Sequence, residues 1–310
     1  MSKTRTLSPK QVADAIGVSE SSLKRWCDKG QIRFSKTVGG HRRITRVDVI
    51  DFVRNKRQVL ANPDILGLPS IDPNLDLPLE EIATQFEESL LAADENKCRE
   101  LVMRCYLAGR KLSGIVDMVI GQSFKNIGLS WACDNLEIYK ERVACEITVR
   151  LINELRSIQP EPDENAMLAI GGTCSGDHYT MPTQVVDLQF AHMGWRTQNL
   201  GCNLPFPSLK QAALDYRPNF FWLSISHIDD KAEFVQSLQQ FTNGLPPGIA
   251  LVIGGSSLQP DIQASIPNAI FCSKIQQLEA YLSTIKQSAQ QANTAPPQTD
   301  TDNGTTGNHS

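Results

Sequence analysis

The eight cysteines of this 310-residue chain, at positions 27, 98, 105, 133, 145, 174, 202 and 272, include no CxxC pair. That spacing argues against zinc ribbons and against a disulfide scaffold. It leaves most of these thiols as small buried hydrophobes in a reducing compartment. No apolar run approaches the ~20 residues that a membrane span needs. The first residues, Met1 to Arg5, lead straight into polar sequence without the apolar stretch of a secretory signal. A cytoplasmic protein with no membrane partner is therefore expected. There is no catalytic triad, no pair of catalytic carboxylates and no metal cluster, so an enzyme is not expected. No internal repeat is evident.

What is present is ordinary globular composition with a lopsided charge. Hydrophobic residues make up 41% of the chain and charged residues 21%, and the length suits two or three domains of roughly 100–200 residues. The net charge of −4 divides into +9 over residues 1–60 and −13 over the rest. A small basic unit on an acidic body points to a polyanion as the partner of one end.

Composition shifts divide the chain. Residues 1–60 form the basic unit, and 61–79, rich in proline with Gly67, read as a linker. Residues 80–158 carry apolar positions at three- and four-residue spacing over 80–93, 95–109, 112–127 and 136–158, which predicts a four-helix bundle. After a polar break the period changes. Short apolar strands alternate with helices over 165–286, the pattern of a doubly wound parallel sheet. Residues 287–310 are too polar to bury and read as a disordered tail.

In the basic unit, Ser8-Pro9 and Ser19 are helix-start signals. They predict helices over 9–16 and 20–29 in helix-turn-helix spacing. Segments 32–34 and 41–44 flank Val38-Gly39-Gly40, a hairpin whose basic tip makes a wing. Trp26 belongs to the core. On the second helix, Ser21, Ser22, Lys24 and Arg25 are candidates to face double-stranded DNA, with Lys24 and Arg25 suited to base edges. His41, Arg42 and Arg43 of the wing suit phosphate. The run LSPKQVADAIGVSESSLKRWCDKGQI…TVGGHRRIT resembles the winged-helix DNA-binding domain of MerR-type regulators over about residues 6–60.

In the sheet region, His178 leaves the first strand at its carboxyl end, where ligands sit in such folds. Ser224 and Ser226 end the third strand and Gly254-Gly255 end the fourth, offering hydroxyls and bare backbone to a polar group. LSIS, VIGG and GWRTQNLG…PSLKQAALDYRPNFFWLSIS resemble the cobalamin-binding module, in which a four-helix cap precedes a flavodoxin-like sheet. Trp131, followed nine residues later by Glu141, resembles the cap motif of that family. The whole layout is similar to the cobalamin-dependent, light-responsive repressors of carotenoid synthesis.

The resemblance implies a multidomain α+β and α/β regulator that binds cobalamin, adenosylcobalamin included, and assembles as a dimer or tetramer. It also implies that His178 ligates cobalt from below while Trp131 and Glu141 cover the corrin. Three departures stand out: Gly176 replaces the acidic partner of the histidine, Met181 replaces a glycine, and Arg142 replaces a cap histidine. Two alternatives follow. One is a cobalamin-free regulator that uses the module for oligomerisation. The other is a corrinoid carrier of a methyltransferase system.

Overall fold

The computed structural model describes residues 6–69, 77–132 and 137–294. The rest of the expected linker and the chain beyond Thr294 lie outside the described residues.

The N-terminal unit runs β1 (Thr6–Leu7), α1 (Pro9–Ile16), α2 (Glu20–Asp28), β2 (Ser35–Lys36), β3 (Arg42–Thr45) and α3 (Arg46–Lys56). Ser8 opens α1 with a capping box to Gln11, and the Ser19 hydroxyl accepts the Ser22 amide to open α2. Gly17 ends α1 with φ +82, and a Cβ there would fall 2.8 Å from the Cβ of Ala61. Glycine is required on both counts. The small antiparallel sheet has the order β1-β3-β2, with buried Leu7 set opposite buried Ile44. The first wing strand lies at 35–36, later than expected, because Ile32 is spent on the core.

Part of the expected linker is structured. Pro63–Leu66 form a 3-10 turn, and Leu66 and Leu68 are buried in the core beside it.

The helical segment contains α4 (Leu79–Leu91), α5 (Glu95–Leu107), α6 (Leu112–Gly114), α7 (Gly121–Ala132) and α8 (Ile138–Ser157). Between α6 and α7 the chain is π-helical over Ile115–Ile120, a device that rotates side chains relative to an unbroken helix. One residue of this turn, Asp117, reaches the next unit. Its two carboxylate oxygens accept the Ile275 and Gln276 amides at 2.9 Å each, which caps a helix N-terminus.

The C-terminal unit alternates β4 (Leu168–Cys174), α9 (Thr180–His192), β5 (Arg196–Leu204), α10 (Phe206–Tyr216), β6 (Phe220–Ser224), α11 (Lys231–Asn243), β7 (Ala250–Gly254), α12 (Pro260–Ala264), β8 (Ile270–Cys272) and α13 (Ile275–Thr294). The five strands are parallel in the order β5-β4-β6-β7-β8, the flavodoxin-like doubly wound arrangement. Alternate residues of β6 feed the two faces. Phe221 and Leu223 pack beneath α10 and α11, and Phe220 and Trp222 pack against Phe190, Leu278 and Leu282. α13 stays helical to Thr294, past the point at which a disordered tail was expected. No helix among the described residues is long and apolar enough to cross a membrane.

Two polar contacts tie α3 to the helical segment. Arg54 donates to the Tyr106 carbonyl and lies 3.6 Å over the Tyr106 ring. Glu154 holds Arg99 through a bidentate pair, and Arg46 approaches it to 3.7 Å. His192, at the end of α9, is part-buried beside this junction. Burial, and then the charge of Arg54, push its pKa down to about 4. Unfolded chains therefore bind a proton between pH 6.5 and 4 that the folded chain refuses, so stability falls as pH drops through that window. His192→Gln is expected to remove roughly 2–3 kcal/mol of that loss. Urea unfolding of both proteins at pH 6.5 and pH 4 measures it, and equal losses would mean that His192 is not held neutral.

Candidate DNA-binding surface and ligand cleft

On α2, Ser21, Lys24 and Arg25 are exposed and Ser22 is partly so. The Ser21 and Ser22 hydroxyls each lie 2.9 Å from the Ser19 hydroxyl, so both are drawn toward the helix cap. Lys24 pairs with Glu20 at 2.8 Å, one helical turn away, which at an exposed site is a weak tie. Trp26 packs against Phe52 with ring centroids 5.0 Å apart, the core role expected of it.

The wing turns through Thr37–Gly40, where the Gly40 amide bonds the Thr37 carbonyl at 2.8 Å. Arg42 differs from its expected role. Its guanidinium donates to Asp28 at 2.6 Å and to the Lys24 carbonyl at 3.0 Å, and it lies 5.0 Å over the Phe34 ring. It braces the wing against α2. Exposed His41 and part-exposed Arg43 keep the outward position, and exposed Arg33 and Lys36 join them. The sequence pattern does not single out these last two: Arg33 lies within the expected strand 32–34 without a role, and Lys36 lies beyond it in β2. Arg46 is engaged at the α3 junction, 3.7 Å from Glu154.

At the sheet edge, β4 runs into a tight turn. Gly176 has φ +83, and a Cβ there would fall 2.4 Å from an Asp229 carboxylate oxygen. That backbone conformation disfavours any side chain at 176, and the nearby Asp229 carboxylate disfavours an acidic one further. Asp177 is fully buried. Its carboxylate accepts the Ser226 amide at 2.6 Å and the Tyr179 amide at 3.0 Å, so it points away from the His178 imidazole. His178 is exposed and hydrogen-bonds to no described residue.

Above this loop stands the start of α8. Arg142 is exposed and lies 5.7 Å over the Tyr179 ring, and Glu141 is part-exposed. Leu129, Ile138, Tyr139 and Val143 are exposed apolar residues of α7 and α8, an unusual concentration for a solvated surface. Trp131 belongs to α7, but its side chain lies outside the described residues.

Behind the loop, a cleft of about 190 Å³ runs between α9, the ends of β6 and β7, the π-helical turn and α13. Met181, Ser224, Gly254, Gly255, Ser273 and Lys274 line it. Ser226 does not: its amide serves Asp177 and its carbonyl accepts the Ser257 hydroxyl at 2.7 Å. The two glycines are also needed by the chain itself. A Cβ would fall 2.8 Å from the Cys272 carbonyl at Gly254 and 2.0 Å from the Ile225 carbonyl at Gly255.

The nearby thiols are poor ligands. Burial, with Asp177 adding to it, pushes Cys174 up to about 11; burial with Glu141 does the same to Cys145. Among the described residues no group of three or more His, Cys, Asp or Glu side chains is placed to hold a metal ion.

Residues 6–57 match the family described as a helix-turn-helix domain. The HTH-type transcriptional repressor CarH of Myxococcus xanthus is 24% identical over 264 residues, covering 79% of this chain and 87% of CarH. The repressor CarA of the same organism is 22% identical over 268 residues, covering 84% of this chain and 90% of CarA. Both relatives are repressors, not enzymes. In structure, the monomethylamine corrinoid protein of Methanosarcina barkeri superposes with a TM-score of 0.52 at 14% identity. That match covers 68% of this chain and 100% of that protein, and it shows a shared fold. The chain is thus a distant homologue of the CarH and CarA repressors, with a MerR-like helix-turn-helix domain followed by a module of cobalamin-binding-like fold.

Proposed function

We propose that this chain is a transcriptional regulator that reads double-stranded DNA with α2, grips the backbone with its wing, and carries cobalamin in its C-terminal module to govern self-association. The observation that carries the DNA half is a pair of exposed basic elements, braced to each other by Arg42, in the unit that holds the chain's positive charge. Lys24 and Arg25 face base edges, with Ser21 and Ser22 beside them. Arg43, His41 and Lys36 meet phosphate. Arg43→Ala is expected to weaken binding to all DNA sequences alike and to lower the salt slope by about one. Lys24→Ala or Arg25→Ala should instead relax sequence preference. Titrations of labelled DNA fragments at several salt concentrations separate the two behaviours, and an unchanged slope for Arg43→Ala would remove it from the interface.

The cofactor half is supported by the fit between the donor set and the site. His178 offers an unengaged imidazole at the strand end, able to coordinate cobalt when neutral. The cleft behind it combines the Ser224 hydroxyl with the bare backbone of Gly254 and Gly255, suited to a nucleotide tail. Trp131 and Glu141, with the exposed apolar residues of α7 and α8, would cover the ring from the cap. Cobalamin in such a site supplies exchange of the ligands on its cobalt. Purified protein mixed with hydroxocobalamin or adenosylcobalamin, then desalted, should keep a corrin spectrum. His178→Ala should retain less and shift the bands toward the base-off form.

Colourless protein would favour the second reading, a module that binds no ligand and serves as an oligomerisation platform. Its support is specific. Asp177, the one carboxylate beside His178 in sequence, is spent on two backbone amides, and among the described residues no carboxylate bonds the imidazole as ligating histidines usually require. Met181 adds bulk at the cleft.

Arg142 sets a further expectation. A guanidinium has five donors and no lone pair for cobalt, and here it rests over the Tyr179 ring. A light response that depends on a cap histidine taking the vacated upper position is therefore not available. Size-exclusion chromatography of adenosylcobalamin-treated protein should give the same mass in darkness and under green light. A clear fall in mass under light would show that Arg142 does not block the response, and Arg142→His is the variant expected to acquire one.

A further inference from the structure

The end of the sheet module that carries His178 is joined to the DNA-binding unit by an unbroken series of contacts. α9 begins two residues after His178, and Met181 in its first turn lines the cleft. Its last residue, His192, lies roughly 18 Å along the helix at 1.5 Å per residue. There the His192 Nδ1 is 2.9 Å from the side-chain Oε1 of Gln159. The Gln159 amide donates to the Leu155 carbonyl at 2.6 Å and to the Tyr106 hydroxyl at 3.0 Å. The Tyr106 and His192 rings meet edge-on at 6.1 Å.

From Tyr106 the series passes to Arg54 of α3, which lies 3.6 Å over the ring and donates to the Tyr106 carbonyl. Two residues earlier on α3, Phe52 packs against Trp26 of α2. α3 also follows the wing strand β3 without a break, Thr45 capping it.

The composition of this junction is what suggests a role. The winged unit and the helical segment already share one apolar core, so polar groups are not needed simply to hold them together. A buried polar group costs free energy unless it is satisfied, and each member here is satisfied by the next. Arg54 donates to a neutral carbonyl and lies over a ring, and burial lowers its pKa against the opposing influence of Tyr106 and Asp51. A tie of this kind depends on close geometry, so a small displacement of one member breaks it.

We propose that Arg54, Tyr106, Gln159 and His192 form a latch that docks α3 on the helical segment and transmits movement of α9 at the ligand cleft to the DNA-binding unit. The docking stands by itself, and the transmission rests on the reading of the module as ligand-binding.

Amide hydrogen exchange tests both parts. In protein without cofactor, Gln159→Leu should speed exchange across residues 46–56 by about tenfold, the scale of one lost buried hydrogen bond. Helix α1 and strand β6 should stay as in the wild type. Tyr106→Phe, which keeps the ring and removes only the hydroxyl, should do the same and decides the matter if Gln159→Leu loses protection everywhere. Unchanged exchange over 46–56 in Tyr106→Phe would overturn the latch.

With hydroxocobalamin added and excess removed, the wild type should change at α9 and at α3, and Tyr106→Phe at α9 alone. A corrin spectrum together with an equal change at α3 in both proteins would overturn transmission while leaving the cofactor reading intact. Protein that elutes colourless removes the cofactor reading and transmission with it, and the cofactor-free comparison then decides the docking.

Discussion

The ligand end of the sheet module depends on one buried carboxylate. Asp177 has no exposed surface, and its two oxygens are taken by the amides of Ser226 and Tyr179. Its own carbonyl accepts the Thr173 hydroxyl and the Asn203 amide. The loops after β4 and β6 and the end of β5 are thereby fastened to a single residue. Burying a charge is tolerable only when hydrogen bonds replace its water, and here backbone donors do so. The consequence is directional: with Asp177 turned inward, its neighbour His178 is turned out.

This explains why the departures from the cobalamin-binding pattern hang together. Gly176 sits at φ +83, which strains any side chain, and the neighbouring Asp229 carboxylate repels an acidic one. The carboxylate that remains nearby is already committed to the backbone. Among the described residues His178 has no hydrogen-bonding partner, and Arg142 at the start of α8 rests over the nearby Tyr179 ring.

The three units are also less separate than their sequence composition implies. One apolar cluster runs from Leu7 of the winged unit through α5 and α8 to Leu188 of α9. Asp117, in a π-helical turn of the cap, closes the start of α13, and that turn forms one wall of the cleft. The cleft and the helical segment thus share a wall.

Periodicity alone determined the class of each unit. Apolar spacing of three and four marked the bundle, uniformly apolar strands marked a sheet buried on both faces, and Ser8, Ser19 and the glycine pair of the wing marked the helix-turn-helix and its hairpin. These signals are local, so they survive without knowledge of the fold. Tertiary structure decided what local pattern does not encode. β1 has two residues and no period of its own, and exists because Leu7 meets Ile44 across β3. Arg42 looks like any wing arginine until Asp28 and the Lys24 carbonyl come within its reach. Ser226 and Ser224 are equivalent in sequence, yet β6 ends at Ser224 and the Ser226 backbone is taken by Asp177 and Ser257, so only Ser224 lines the cleft. The junction of Arg54 with Tyr106, 52 positions apart, has no signature in either segment, since long-range contacts are selected by the packing of whole elements and not by their neighbours in the chain.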